Sequence, residues 1–158
     1  INLFLGRALY SAGQYDTAIE EIQKTLAINT NYFPAHYAIG LAYYSKQMYK
    51  EAVEEWDKAV DLSDGNPFLT AWLISGYYII GEKDQADKLF NGLKKRSETE
   101  YVPATSFYLI HRIRREEEMA LDWLKKACDE HDTMLPWFKI SIPEGSRDMA
   151  LLKEVGLL

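Results

Sequence analysis

The residues with the most concentrated chemistry lie late in the chain, in the stretch Arg112–Glu118 (RIRREEE) and at Cys128, His131 and Asp132. Three arginines running into three glutamates can form a patch for a charged partner, an acid cluster, or the charged opening of a helix, where glutamates suit the positive end of the dipole. Cys128 and His131, three residues apart, have the spacing of half a metal site, with His111 earlier and Asp132 adjacent. A structural zinc needs four convergent ligands, and a second matching pair is missing. A buried cysteine and a histidine at a helix end account for the pair better. The same two residues would be needed for a Cys–His nucleophile. With histidines only at 36, 111 and 131, acid–base catalysis has little to work with. Asp61–Gly65 (DLSDG) has the beginnings of a calcium loop, but its glycine is out of register and the bidentate glutamate is missing, so a turn is expected. No P-loop, HExxH, GxSxG or kinase signature occurs. The expectation is a chain that is not an enzyme and holds no cofactor or metal.

Bulk properties narrow the classes further. The chain has 158 residues, 47% hydrophobic and 27% charged, as expected of a folded protein rather than a disordered one. Its 24 acidic and 18 basic residues give a net charge of −6, which argues against nucleic acid as a partner. One cysteine permits no internal disulfide, and no apolar run reaches the ~18 residues of a membrane span. A cytoplasmic protein without membrane contact is expected. The chain starts at Ile1, already inside an apolar pattern, and is expected to be a fragment of a longer protein.

What must position these residues is a set of helices. Apolar spacing is helical throughout, as in Ala52, Val53, Trp56, Ala59 and Val60, and no strand alternation is evident. Asn66–Pro67 reads as an N-cap followed by proline in the first helical turn, and Pro34 and Pro103 can mark similar starts. Laying the sequence on itself with a shift of 34 aligns Ala18, Ala52, Ala86 and Ala120 without a gap. Four residues on stand Ile22, Trp56, Phe90 and Leu124; thirteen residues before stand Leu5, Ile39, Leu73 and Phe107. Gly6 pairs with Gly40, Gly13 with Gly81, and Tyr43 with Tyr77. The small alanines admit a close helix approach and the bulky residue at +4 fills the space between pairs. Glycine at 13 and 81 suits the turn between two helices, and Arg115 in the same column suggests a distorted turn there.

This pattern resembles the tetratricopeptide repeat, a helix–turn–helix unit of 34 residues with W-x2-L-G-x2-Y, then A-x3-F, then P. The second copy carries most of it, and the proline column reads Thr30, Asp64, Glu98 and Asp132 instead. The resemblance implies an all-α fold, an α-solenoid of four antiparallel helix pairs. The pairs are expected at 1–12 with 15–28, 34–46 with 49–62, 67–80 with 83–97, and 102–114 with 117–131. The repeats are then 1–32, 33–66, 67–100 and 101–131. The tail 132–158 forms a C-terminal capping segment and helix, with Met149, Leu152 and Val155 on one face. Trp137–Phe138–Lys139 and Val155–Gly156–Leu157 give this tail a likeness to the ends of bacterial multidomain proteins.

In such repeats the first helices line a concave groove. The groove column is Tyr10, Tyr44, Tyr78 and Arg112, flanked by Leu3, Tyr37, Ala71 and Thr105 and by Arg7, Leu41, Ser75 and Leu109. The expected partner-binding residues are Arg7, Tyr10, Tyr37, Leu41, Tyr44, Ser75, Tyr78, Leu109 and Arg112, a tyrosine ladder that holds a peptide or protein segment. The alternative is that these rings pack between neighbouring helices. The Lys/Asn set with which chaperone-binding members clamp a terminal carboxylate is absent: Leu3, Tyr37 and Ala71 stand there instead. The functional expectation is a protein–protein interaction scaffold; the alternative is a regulatory or oligomerisation region of a larger signalling or transcription-regulating protein. Apolar Ile1, Leu3, Phe4 and Leu5 also offer a surface for a homodimer through the first repeat.

Overall fold

The computed structural model describes residues 2–135 and 146–154. Among these are nine α-helices and no strand: α1 (Asn2–Ser11), α2 (Tyr15–Ile28), α3 (Phe33–Ser45), α4 (Tyr49–Leu62), α5 (Pro67–Ile80), α6 (Lys83–Arg96), α7 (Ala104–Ile113), α8 (Glu117–Asp129) and α9 (Arg147–Glu154). Together they form an all-α repeat solenoid. Ile1, Trp137–Phe138–Lys139 and Val155–Gly156–Leu157 lie outside the described residues.

Each helix pair is closed by the same turn. Residues 13, 47, 81 and 115 all take the left-handed backbone region, at φ 76°, 61°, 85° and 61°. In each turn the next amide reaches back five residues: Gln14 N to Leu9 O, Met48 N to Tyr43 O, Glu82 N to Tyr77 O and Glu116 N to His111 O. These bonds satisfy the last carbonyls of the first helix. The distortion expected at Arg115 is therefore absent. Arg115 accepts the glycine conformation, because the turn's hydrogen bonds outweigh the crowding of its Cβ.

The repeat columns form the core. Ala18, Ala52, Ala86 and Ala120 are wholly buried, with Ile22, Trp56, Phe90 and Leu124 filling the space at +4. Gly40 is fixed by this packing, since a Cβ there would lie 2.3 Å from Trp56 Nε1. Asn66 caps α5 as expected, its side chain accepting from the amides of Phe68 and Leu69 at 3.0 and 3.3 Å. Pro34 is the second residue of α3, and Pro103 stands just before α7.

The pairs do not stack uniformly. In the first half, the second helix of each pair packs on the next first helix, α2 on α3 and α4 on α5. In the second half α7, besides packing on its own partner α8, packs on α5. The connection before α7, residues 97–103, is longer than the 29–32 and 63–66 links, and small residues at Ala71, Ser75 and Thr105 admit the approach. Helix α9 packs on α8 and buries Leu152 completely, closing the apolar end of the last pair.

Candidate partner-binding face

The first helices bring aromatic side chains together across pair boundaries. Tyr37 on α3 meets Phe68 and Trp72 on α5, with ring centroids 5.7 and 6.2 Å apart. Tyr44, two turns along α3, stands 6.1 Å from Trp72 and 5.9 Å from Trp56. Tyr37, Tyr44, Phe68 and Trp72 are each half-buried, so the run is packed on one side and open on the other. Beside it, at the N-terminal ends of α3 and α5, is a cleft of about 340 Å³ bounded by Phe33, Pro34, Tyr37, Phe68 and Tyr101 among others. Tyr101 and Phe33 are exposed.

The expected groove residues divide between the two halves. Arg7 is exposed, and Tyr10, Tyr37, Leu41 and Tyr44 are half-buried. Ser75 and Leu109 are inside instead, 1% and 8% exposed, and the Ser75 hydroxyl donates to Ala71 O at 2.8 Å. Both are closed off by the direct packing of α7 on α5, which also buries Ala71 and Thr105. Tyr10, Tyr44 and Tyr78 form separate contacts rather than a ladder. Tyr10 packs against Tyr15 and accepts from Ser45 Oγ at 3.1 Å; Tyr44 packs against Tyr49. Tyr78 donates to the Asp87 carboxylate at 2.5 Å and lies under the Arg114 guanidinium. Burial and the bond to Asp87 push its hydroxyl up to about 12. The Tyr44 hydroxyl is raised as well, by burial and the neighbouring Tyr49 and Tyr10, so both rings present neutral hydroxyls at ordinary pH.

Arg112 pairs within the chain. Its Nε lies 3.0 Å from the carboxylate of Asp148 on α9, which also accepts from Tyr108 Oη at 3.0 Å. Asp148 is 3% exposed. Arg147, next to it, bonds Glu118 at 2.6 Å and lies 3.9 Å from Glu117. Glu116 bonds His111 at 2.5 Å and Arg114 at 2.8 Å. The glutamates open α8, with Glu117 and Glu118 exposed in its first turn, and Arg112 and Glu118 also tie the last pair to α9. Sequence reasoning missed Asp148 and Arg147, and it missed Phe68 and Trp72 as well. The last two had a signal, since aromatic residues at i and i+4 share one face of a helix.

The other candidate chemistry does not assemble. Cys128 is buried and His131 is exposed in the turn after α8. No group of three or more His, Cys, Asp or Glu side chains converges among the described residues. Asp61–Gly65 is the end of α4 and the turn after it, and Arg96 donates to Gly65 O at 2.6 Å. None of the described helices is long and apolar enough to cross a membrane.

Family models described as TPR repeat and tetratricopeptide repeat match residues 6–47 and 33–66, the first two helix pairs. Residues 6–66 therefore carry tetratricopeptide repeats. No curated protein matches the sequence. A solved structure similar to this chain is that of YrrB, described as a TPR protein with an unusual peptide-binding site. The two are 20% identical over 89% of this chain and 91% of that one, with a TM-score of 0.36. Tetratricopeptide repeats in general mediate contacts between proteins.

Proposed function

We propose that this protein is a non-catalytic interaction scaffold whose open face, on α1, α3 and α5, binds an extended segment of a partner protein. The observation that carries this reading is the aromatic run Tyr37–Phe68–Trp72–Tyr44 beside an apolar cleft. Half-buried aromatic rings are stiff, bury a large area on contact and lose little entropy, which makes them favourable anchors. Arg7, Tyr10 and Leu41 flank this run; Tyr78 and Arg112 continue the face toward α9 through their own pairings. The four repeats over 1–131 and the tail 132–158 are proposed as scaffold and cap.

Hydrogen exchange with a peptide selected for binding from a random displayed library tests the location. Protection is expected on α3 and α5, with little change on α4 and α6. Tyr44→Ala should weaken binding about tenfold or more while far-UV helicity is retained. Protection confined to the second helices would refute the reading.

A further inference from the structure

The outer charges of the second helices change sign from α4 to α6. Helix α4 carries five acids and two lysines, whereas α6 carries five bases and two acids. Among the second helices α2, α4, α6 and α8, only α6 has more bases than acids. The reversal runs column by column at the shift of 34. Lys50 aligns with Asp84, Glu54 with Lys88 and Asp61 with Lys95, and no column of the two helices holds like charges. All six of these residues are exposed. None of them forms an ion pair or a side-chain hydrogen bond among the described residues, whereas charges around them do. Lys58 bonds Glu55 at 2.6 Å and Arg96 bonds Glu100 at 2.9 Å. Gly92, between Lys88 and Lys95, has nothing within 4 Å of where a Cβ would stand, so the ridge between the two lysines is open.

We infer that α4 and α6 of one chain pair with α6 and α4 of a second copy through these columns. The short link after α4 and the turn after α5 reverse the chain twice, so α4 and α6 run in the same direction and equivalent columns stand at equal heights. Both helices flank α5 and turn these columns to solvent, so the two ridges of one chain lie side by side rather than face to face. A twofold axis along the helix direction sets α4 of one copy against α6 of the other. Glu54 then faces Lys88, Asp61 faces Lys95 and Lys50 faces Asp84, and each contact occurs twice because such an interface is isologous. A single exposed pair contributes little. Six in one register form a network, and its alternating signs reject a shifted or inverted copy through like-charge contacts. The inference concerns the second helices and does not depend on what the first helices bind.

Charge reversal tests this by sedimentation over a range of concentrations at about 0.02 M salt, with Phe4→Glu in every chain so that the apolar surface of α1 takes no part. The chain otherwise unchanged should form dimers. Lys88→Glu with Lys95→Glu makes both ridges acidic, and Glu54→Lys with Asp61→Lys makes both basic. Each reversed chain alone should associate at least about tenfold more weakly, with its helicity by circular dichroism unchanged because the four positions are exposed. Mixed in equal amounts, the two should dimerise again, since each offers the other the opposite charge. At about 0.5 M salt the pairs are screened, and association should be lost in every Phe4→Glu chain. A monomer throughout at low salt, a reversed chain that associates like its parent, a mixture that stays monomeric, or association unmoved by salt overturns the inference.

Discussion

The N-terminus of α7 is capped from far along the chain, and that cap gives the sharpest stability prediction. Pro103 precedes the helix and brings no side-chain acceptor. Asp132, 27 residues away, takes the role: its Oδ2 accepts from the Thr105 amide and from Thr105 Oγ1, both at 2.9 Å, and its Oδ1 accepts from the Met134 amide at 2.9 Å. Asp132 is 3% exposed and Thr105 fully buried, so Asp132→Ala leaves two buried donors of Thr105 without their acceptor. A hydrogen bond to a charged group contributes about 1.5–3 kcal/mol, and the loss of a helix cap alone costs about 0.5–2 kcal/mol. Since these three bonds share one carboxylate they do not add fully, and Asp132→Ala should cost roughly 3–4 kcal/mol. A carboxamide in place of the carboxylate keeps one acceptor and turns a donor toward one of the amides, so Asp132→Asn should cost about half as much. Urea unfolding followed by circular dichroism measures both, and hydrogen exchange should show the loss concentrated in α7 and α8. A cost below about 1 kcal/mol for Asp132→Ala, or equal costs for the two substitutions, would refute the capping role.

Four further outcomes follow from the turns, the packing and the ion pairs. Gln47→Gly and Arg115→Gly each relieve a left-handed backbone at φ 61° and should raise stability by about 0.5–1 kcal/mol, read as a higher Tm; a lower Tm would contradict the strain. Gly40→Ala places a Cβ against the Trp56 ring and should cost about 1–3 kcal/mol, whereas Gly92→Ala in α6 meets nothing within 4 Å and should stabilise by up to about 1 kcal/mol. Equal effects in the two urea titrations would rule out the close approach. Burial raises Glu116, but the bonds from His111 and the charge of Arg114 outweigh it and leave its carboxyl lowered; Glu118 is lowered by its hydrogen bond and charge interaction with Arg147. Groups depressed on folding contribute fully above the unfolded carboxylate range and lose that contribution as pH falls through their lowered values. Acidification below about pH 4.5 should therefore loosen the α8–α9 junction, and less so in Arg147→Ala; identical acid profiles by tryptophan fluorescence would argue against it. Phe4 and Leu5 are 77% and 47% exposed on α1, so concentration-dependent self-association is expected in sedimentation and should vanish in Phe4→Glu; a monomer at every concentration excludes that interface.

The sequence by itself determined the repeat. The alanine column, its partner at +4 and the helix-closing turn recur every 34 residues, and each copy closes its helix pair with the same turn. Periodic spacing therefore located the helix ends within two residues. Half of the candidate face was legible in the same way, because Tyr37, Leu41 and Tyr44 share one side of α3. What repetition could not determine is where the repeat stops being regular. Ser75 and Leu109 occupy the columns of Arg7 and Leu41, yet they are buried because α7 settles on α5 through small residues after a longer link. Likewise Arg112 follows the tyrosine column in sequence but is claimed by Asp148, and Asp132 caps a helix that begins 28 residues before it. Such pairs are single, long-range and charged. No period announces them, and only the close approach of their helices in the folded chain brings donor and acceptor within bonding distance.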